Sequence, residues 1–213
     1  MPRWKRALDL GLAALTILGA ALPMLAILPA ALALQGRPIL YRAPRVGRDG
    51  RPFVLLKLRT MTQDAGDAGV TGGDKAARIT PFGAWLRRSR ADEIPQVWNV
   101  IRGEMSFVGP RPPLASYVEA YPELYAEVLR LTPGITGLAT VMTATHENRL
   151  LARARTGAET DRIYRSVCVP RKARLDGIYA AHLSARLDLW ILGRTLRRSA
   201  RDPARPRAKR LMR

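Results

Sequence analysis

The feature that most limits how this chain can fold is a long apolar segment near its N-terminus. In residues 7–34 the only polar side chains are Asp9 and Thr16. A helix of roughly twenty residues crosses the hydrocarbon core of a bilayer. The segment is therefore long enough to enter a membrane, and we expect the residues after Gly36 to form a separate folded domain.

Three interpretations of the segment compete. A secretory signal peptide has a basic start and a small-residue cleavage site, for which residues 31–33 are the candidate. Asp9 and the excessive length of the segment argue against it. The second interpretation is a helix that spans the membrane, and the third is a re-entrant helix that enters, breaks and returns to the same face.

The charges on both sides of the segment favour re-entry. Arginine and lysine occur before it and after it, at Arg3, Lys5, Arg6, Arg37, Arg42, Arg45 and Arg48. Basic flanks prefer the cytoplasm, so a single crossing satisfies only one of the two ends. Pro23 lies near the middle and favours a kink because it removes a backbone donor and clashes with the preceding turn. A bent spanning helix remains the alternative.

Composition restricts the classes of partner. The 213 residues carry a formal charge of +19, which predicts anionic partners such as phosphorylated substrates or lipid headgroups. Aromatic residues are sparse, and we find no helix-turn-helix, zinc-finger or single-strand-binding pattern, so we expect no nucleic acid. The single Cys168 excludes an internal disulfide and a structural thiolate zinc cluster.

Local patterns after Gly36 predict a small, mostly helical α+β domain. Short strands are expected at residues 38–41 and 53–58, with a turn at 47–50 between them and a mobile loop at 62–77. Helices are expected to begin at Thr80–Pro81 and near Asp92, and to cover residues 114–131 and 184–198. The resulting division is a membrane helix at 1–36, a catalytic domain at 37–200 and a basic, disordered tail at 201–213.

Adjacent carboxylates at Asp92 and Glu93 are the strongest candidates for chemistry. They follow Arg87, Arg88 and Arg90 near an expected helix start, where the backbone favours negative charge. An aspartate can attack phosphorus, and a neighbouring glutamate can hold Mg²⁺ together with phosphate oxygens. From these residues alone, an acidic first helical turn that offsets the dipole is the more common explanation.

Further cations stand at defined points of the chain. Arg111 lies between Pro110 and Pro112, which restrict its backbone and suit it to bidentate capture of phosphate. Lys57 and Arg59 follow an expected strand and equally suit a solvated strand end. Asp176 and Tyr179 are isolated, and such residues are usually packing or surface positions.

In combination these segments resemble one family, the monotopic phosphoglycosyl transferases, also called bacterial sugar transferases. The resemblance covers residues 4 to about 197. It rests on the leader with Pro23 and on Lys57-Leu58-Arg59-Thr60-Met61, Phe82-Gly83, Asp92-Glu93-Ile94-Pro95-Gln96, Asn99-Val100, Met105-Ser106-Phe107-Val108-Gly109-Pro110-Arg111-Pro112 and Pro133-Gly134-Ile135-Thr136-Gly137. The run that ends at Pro112 is the most specific of them.

The resemblance implies an enzyme on the cytoplasmic face of the bacterial inner membrane, held by a re-entrant helix and by anionic lipids. It implies transfer of a sugar-1-phosphate from a UDP-sugar to polyprenyl phosphate in two steps, with release of UMP and the start of a lipid-linked glycan. It places the nucleophile on Asp92 and the Mg²⁺ ligand on Glu93. It assigns substrate binding to Lys57, Arg59, Arg87, Gln96, Pro110, Arg111, Pro112, Asp176 and Tyr179.

Two departures from the family pattern limit what the resemblance implies. Leu22 precedes Pro23 where the family has a small polar residue, and Pro29 is additional. After Gly137 the chain has Leu138-Ala139-Thr140 in place of Trp-Ala-Gln. We expect the segment from Thr143 to Arg149 to shape the sugar end of the pocket. The sequence leaves open which sugar is used, which glycan is made and whether the chain forms a homodimer. A non-catalytic membrane scaffold is the alternative function, and the presence of both Asp92 and Glu93 argues against it.

Overall fold

A computed structural model, which describes residues 1–63 and 73–201, shows the apolar leader as one helix, α1 (Arg3–Gln35). Pro23 and Pro29 both lie inside this helix, which is assigned without interruption. Of the described residues, α1 alone is long and apolar enough to cross a membrane, by length and composition. Helix α1 is therefore a candidate for membrane association, and its re-entrant path remains a prediction.

Helix α1 is held by the rest of the molecule at both of its ends. Near the start, Lys5 and Asp9 are buried, and near the end Ile27 packs with Leu58 and Leu86 in one apolar cluster. Between them the leucines of the middle face outward; Leu18 and Leu22, for example, are 76% and 78% exposed. An exposed apolar middle between two anchored ends leaves that middle available to lipid.

Two small sheets follow. Strands β1 (Leu40–Val46) and β2 (Pro52–Leu58) form an antiparallel hairpin around a 3-10 turn at Arg48–Gly50. Strands β3 (Ser106–Val108) and β4 (Gly134–Thr136) pair in parallel. The sequence predicted two strands with a turn between them, but the first strand begins at Leu40 rather than residue 38 and continues to Val46. The prediction ended too early because the arginines at 42 and 45 interrupt the apolar pattern that marks a strand.

Helices make up most of the domain, as predicted. The remaining helices are α2 (Pro81–Ser89), α3 (Gln96–Ile101), α4 (Ala115–Ala120), α5 (Pro122–Val128), α6 (Leu138–Leu151), α7 (Gly157–Ile163), α8 (Val169–Ala181) and α9 (Ala185–Arg201). A π-helical turn at Tyr164–Cys168 joins α7 to α8. The cap at Thr80 is confirmed: its hydroxyl oxygen accepts from the Gly83 N–H at 2.9 Å.

Three local predictions need correction. The single helix at 114–131 is wrong, because Pro122 cannot continue a helix from Tyr121 and instead starts α5. Asp92 does not open a long helix: it lies on a 3-10 turn, Ala91–Glu93, and α3 begins only at Gln96. Within the predicted loop at 62–77, Gly73–Arg78 is a 3-10 helix, while residues 64–72 lie outside the described part, as do residues 202–213 of the predicted tail.

Candidate active site

Asp92 is placed by the end of α2. That helix stops at Arg90, whose φ of 57° is left-handed, and the chain then turns into Ala91–Glu93. A non-glycine residue in this region costs free energy, and such positions concentrate at functional sites. The turn places Asp92, which is 8% exposed, in the wall of a cleft of about 800 Å³.

The surroundings of Asp92 favour its neutral form. Burial and, to a smaller extent, the adjacent Glu93 raise the pKa of this carboxyl group to about 6, against the opposing effect of Lys57, Arg87 and Arg90. A carboxyl group with a pKa of about 6 is still mostly ionised at neutral pH. It therefore combines negative charge with incomplete hydration, which is the state expected of a nucleophile.

Glu93 is held by two arginines. Its Oε2 accepts from Arg90 Nη2 at 2.5 Å, and its Oε1 lies 3.6 Å from Arg111 Nη1. The side chain of Glu93 is mostly buried. Glu93 thus connects the turn that carries Asp92 to the loop that carries Arg111.

Close packing of glycine backbones positions the Arg111 loop. A Cβ atom on Gly109 would lie 2.3 Å from the Thr132 carbonyl oxygen, and one on Gly134 would lie 2.1 Å from the Gly109 nitrogen. No side chain fits at these distances. The Gly-Pro-Arg-Pro loop and the start of β4 can therefore approach each other only with glycine at both positions. This requirement explains the glycines in the two sequence motifs that contain Gly109 and Gly134.

Lys57 and Arg87 approach Asp92 from the hairpin and from α2. Burial lowers the pKa of Lys57 to about 8, with Arg111 and Arg87 adding to the shift, and its Nζ lies 5.0 Å from the centre of the Tyr41 ring. Arg87 donates its Nε–H to Thr60 Oγ1 at 2.9 Å. Helix α2 can pack this closely against Thr60 only because residue 83 is glycine. A Cβ atom on Gly83 would lie 2.0 Å from the Thr60 carbonyl oxygen.

Basic residues outnumber acidic ones in the lining of the cleft. Among the described residues nine lining residues are basic: Arg45, Lys57, Arg59, Lys75, Arg78, Arg87, Arg90, Arg111 and Lys172. Three are acidic, namely Asp92, Glu93 and Glu147. Such a lining with a few fixed carboxylates suits a substrate that carries several phosphate charges.

The structure brings together six of the site residues predicted from the sequence. Asp92, Glu93, Lys57, Arg87 and Arg111 meet in the cleft. Arg59 also lines it, but its Nη2 donates to the Gln35 and Gly36 carbonyl oxygens at the end of α1. This contact links the cleft directly to the end of α1.

The other predicted substrate-binding residues lie away from the cleft lining. Pro110 and Gln96 are buried, and the Gln96 amide nitrogen has no partner within the described residues. Pro112 and Asp176 line a smaller chamber beside the cleft, where burial raises the pKa of Asp176 to about 7. Tyr179 is buried elsewhere: its hydroxyl group donates to Asp188 at 2.7 Å and accepts from Lys5 at 3.1 Å. Substrate binding by these five residues stays a prediction.

The carboxylates fit one mode of Mg²⁺ binding and not another. Among the described residues no group of three or more metal-ligating side chains comes together, so a metal cage made only of protein is not present there. Mg²⁺ is commonly held by one or two carboxylates plus substrate phosphates. Glu93, with Asp92 beside it, meets that requirement once phosphate oxygens supply the remaining ligands.

Several lining residues were not identified from the sequence. Glu147, Asn148, Tyr164 and Lys172 come from α6, the π-helical turn and α8. They reach the cleft through tertiary packing between helices, and no local motif marks them. Glu147 and Asn148 do fall within the segment from Thr143 to Arg149 that was expected to shape the pocket.

Known proteins are similar to most of this chain. The family model described as bacterial sugar transferase matches residues 2–202. A UDP-glucose:undecaprenyl-phosphate glucose-1-phosphate transferase of Caulobacter vibrioides is 44% identical over 169 residues, which are 75% of this chain and 62% of that protein.

Two further relatives match a shorter part of this chain. An undecaprenyl-phosphate glucose phosphotransferase of Komagataeibacter xylinus is 40% identical over 147 residues, 64% of this chain and 27% of that protein. A UDP-galactose-lipid carrier transferase of Erwinia amylovora is 39% identical over 150 residues, 63% of this chain and 31% of that protein. The matches thus span less than two thirds of the length of these three relatives.

Proposed function

Because the chain belongs to the bacterial sugar transferase family, we propose that it is a phosphoglycosyl transferase that moves a sugar-1-phosphate from a UDP-sugar to undecaprenyl phosphate. The observation that carries the proposal is the Asp92 carboxylate, buried in a cationic cleft beside Glu93, Lys57, Arg87 and Arg111. The relatives' names supply the two substrates. The product begins a lipid-linked glycan, such as an exopolysaccharide or lipopolysaccharide precursor.

The proposed reaction has two displacements at one phosphorus atom. An Asp92 carboxylate oxygen attacks the sugar-bearing phosphorus of the UDP-sugar. The bond from that phosphorus to the bridging oxygen breaks, and UMP leaves with the oxygen. A phosphate oxygen of the lipid then attacks the same phosphorus, the aspartyl–phosphorus bond breaks, and the carboxylate is regenerated.

The cations of the cleft perform the electrostatic part of this reaction. Lys57 lies over the Tyr41 ring, Arg87 is hydrogen-bonded to Thr60, and Arg111 pairs with Glu93, so these cations are in place before the diphosphate arrives. Arg111 offers a planar fork suited to a phosphate edge. Mg²⁺, held by Glu93 and substrate oxygens, would neutralise further charge on the diphosphate when bound.

The same proposal includes the membrane arrangement. We place α1 in the cytoplasmic leaflet of the inner membrane as a re-entrant helix, with basic residues such as Arg42 and Arg48 near anionic headgroups. Contacts of both ends of α1 with one domain support this path, because a crossing would separate the two ends by the thickness of the hydrocarbon core, about 30 Å. The lipid substrate would then reach the cleft from the same leaflet.

The decisive experiment is to trap the covalent intermediate. Wild-type protein incubated with Mg²⁺ and labelled UDP-sugars, without lipid acceptor, is expected to release about one UMP per active site and to retain labelled sugar phosphate on Asp92. Asp92→Asn keeps the size of the side chain but removes the attacking charge, so burst and label should both be lost. An Asp92→Asn protein that turns over near the wild-type rate would require direct transfer from UDP-sugar to lipid instead.

A further inference from the structure

The cleft has a second wall whose residues take no part in the chemistry proposed for Asp92. Helix α6 contributes Glu147 and Asn148, the π-helical turn contributes Tyr164, and α8 contributes Lys172. The wall around Asp92 is dominated by arginines and Lys57. The second wall instead offers a carboxylate, an amide and a phenol, which are donors and acceptors suited to uncharged hydroxyl groups.

The side chains of this wall are fixed in place. Lys172 Nζ lies 3.1 Å from Glu147 Oε1 and 3.0 Å from Oε2, so it holds both carboxylate oxygens. It also donates to the Tyr164 hydroxyl at 3.3 Å. Both charged side chains are largely buried, at 14% and 18% exposure. A buried ion pair is costly to desolvate and is weak evidence for stability, so its presence in a substrate cleft favours a role in recognition.

The wall lies close to the carboxylate pair. Arg111, which is 3.6 Å from Glu93, also lines the small chamber of about 70 Å³ together with Tyr164 and Lys172. Although burial opposes it, Glu93, Tyr164, Asp92 and Glu147 together raise the pKa of Arg111. Arg111 therefore stands between the two walls and is influenced by both.

We propose that Glu147, Asn148 and Tyr164 bind the hydroxyl groups of the sugar ring and that Lys172 is a positioning residue that holds Glu147 and Tyr164 in orientation. This proposal rests on the proposed function. If the sugar-bearing phosphorus is at Asp92, the ring attached to it extends to the neighbours of Arg111. The Glu147 carboxylate repels phosphate but can accept hydrogen bonds from two neighbouring hydroxyl groups of the sugar ring. One end of the cleft therefore favours phosphate and the other end favours the sugar.

The test separates the sugar from the rest of the nucleotide. In an Asp92→Asn background, which prevents turnover, the full chain in nanodiscs is titrated with UDP, UDP-glucose and UDP-galactose. Glu147→Gln should weaken both nucleotide-sugars roughly tenfold, because it weakens hydrogen bonds to a charged acceptor, and should leave UDP within about twofold. It should also change the ratio of UDP-glucose to UDP-galactose affinity, since these sugars differ at one hydroxyl group.

Three further variants keep the result independent of folding. Asn148 is exposed, so Asn148→Ala is tolerated by the fold and should also lower the affinity for the nucleotide-sugars relative to UDP. Lys172→Met should reproduce the effect of Glu147→Gln, and Lys172→Arg should restore the discrimination between sugar and UDP, because an arginine can still hold the carboxylate. A merely structural role for Lys172 would not change the affinity for the nucleotide-sugars relative to that for UDP.

Glu127→Gln is the matched control, since Glu127 pairs with Arg130 on the exposed surface and should change nothing. Equal changes for all three ligands would overturn the proposal and assign the wall to the nucleotide or to the fold. Unchanged affinities in both Glu147→Gln and Asn148→Ala would overturn it as well. Failure of the proposed function is a separate outcome, in which wild-type protein releases no UMP from any UDP-sugar.

Discussion

Asp92 and Lys57 have opposite pKa shifts in the same cleft, and the shifts have one main cause. Burial makes each charged form harder to solvate, so the pKa of Asp92 rises to about 6 and that of Lys57 falls to about 8. Between these two values both groups are charged. Glu93 adds to the shift of Asp92, while Arg111 and Arg87 add to the shift of Lys57.

These pKa values predict a pH profile for the proposed covalent step. Asp92 attacks only when ionised, so the rate of the UMP burst should rise as pH increases through about 6. It should fall above about 8, where Lys57 loses the charge that binds phosphate. Glu93→Gln removes the neighbouring negative charge that raises the Asp92 pKa, so the acidic limb should move to lower pH. Burst rates measured from pH 5 to 9 check this, and Glu127→Gln should leave the profile in place.

A Glu93→Gln profile with an unmoved acidic limb would contradict the assignment of that limb to Asp92. It would mean that another group, or release of UMP, controls the rate at low pH. Saturating Mg²⁺ in the assay compensates for the loss of metal affinity in the Glu93→Gln variant.

At this scale the sequence identified residues that the structure brings together around Asp92, but it did not identify the individual residues of the second wall. Asp92, Glu93 and Arg111 stand in short specific motifs, and the glycines that bring their segments together are part of the same motifs. Glu147 and Lys172 are 25 residues apart on different helices. Their pairing depends on how α6 packs on α8, and nothing local to either residue indicates it.

Helix α1 is attached to the domain by polar contacts unusual for an apolar segment. Lys5 Nζ lies 2.6 Å from Asp188 Oδ2, and both side chains are nearly inaccessible to solvent. Asp9 accepts hydrogen bonds from the Ser106 hydroxyl and the Phe107 N–H, both at 2.9 Å. Basic residues before the apolar segment were interpreted from the sequence as a topology signal, but Lys5 is in addition a packing residue.

Breaking the Lys5–Asp188 pair should destabilise the anchored end of α1. Lys5→Met leaves Asp188 buried without its cation, which is expected to cost about 3–5 kcal/mol. The double change Lys5→Met with Asp188→Leu should recover much of that loss, because no buried charge remains. Thermal unfolding of the protein in nanodiscs measures both, and Arg3→Met, at an exposed position, is the control. A single variant as stable as wild type would show that water reaches Asp188.

Element prediction succeeded where one local signal dominated and failed where signals conflicted. Thr80 with Pro81 marks a helix start unambiguously, and α2 begins there. The apolar periodicity of residues 114–131 continues through Pro122, so periodicity alone hid the break between α4 and α5. The short β3–β4 pairing joins residues far apart in sequence, and three-residue strands carry too little pattern to be recognised.

At the scale of the whole molecule, the middle of α1 presents an apolar surface, and both ends of this helix are attached to the domain. The start of α1 contacts α9 through Lys5 and Asp188, and its end packs on β2 and α2 through Ile27. All four tryptophans, Trp4, Trp85, Trp98 and Trp190, are 38–55% exposed, and tryptophan is enriched where protein meets the headgroup region. A straight helix of 33 residues extends about 50 Å. If a helix of that length crossed the bilayer, its two ends would lie on opposite sides of the membrane. The contacts of the two ends with the domain could then not both form.

We therefore predict that both ends of α1 lie on the cytoplasmic side. In a Cys168→Ser background, Arg3→Cys and Arg51→Cys provide exposed thiols before and after the helix, and Leu18→Cys provides one in its middle. A membrane-impermeant maleimide should label neither Arg3→Cys nor Arg51→Cys in intact spheroplasts and both in inverted vesicles. Leu18→Cys should resist labelling in either preparation, because the hydrocarbon region excludes the reagent. Labelling of Arg3→Cys in spheroplasts would establish a spanning helix, and the contact between Lys5 and Asp188 would then have to be absent from the membrane-bound protein.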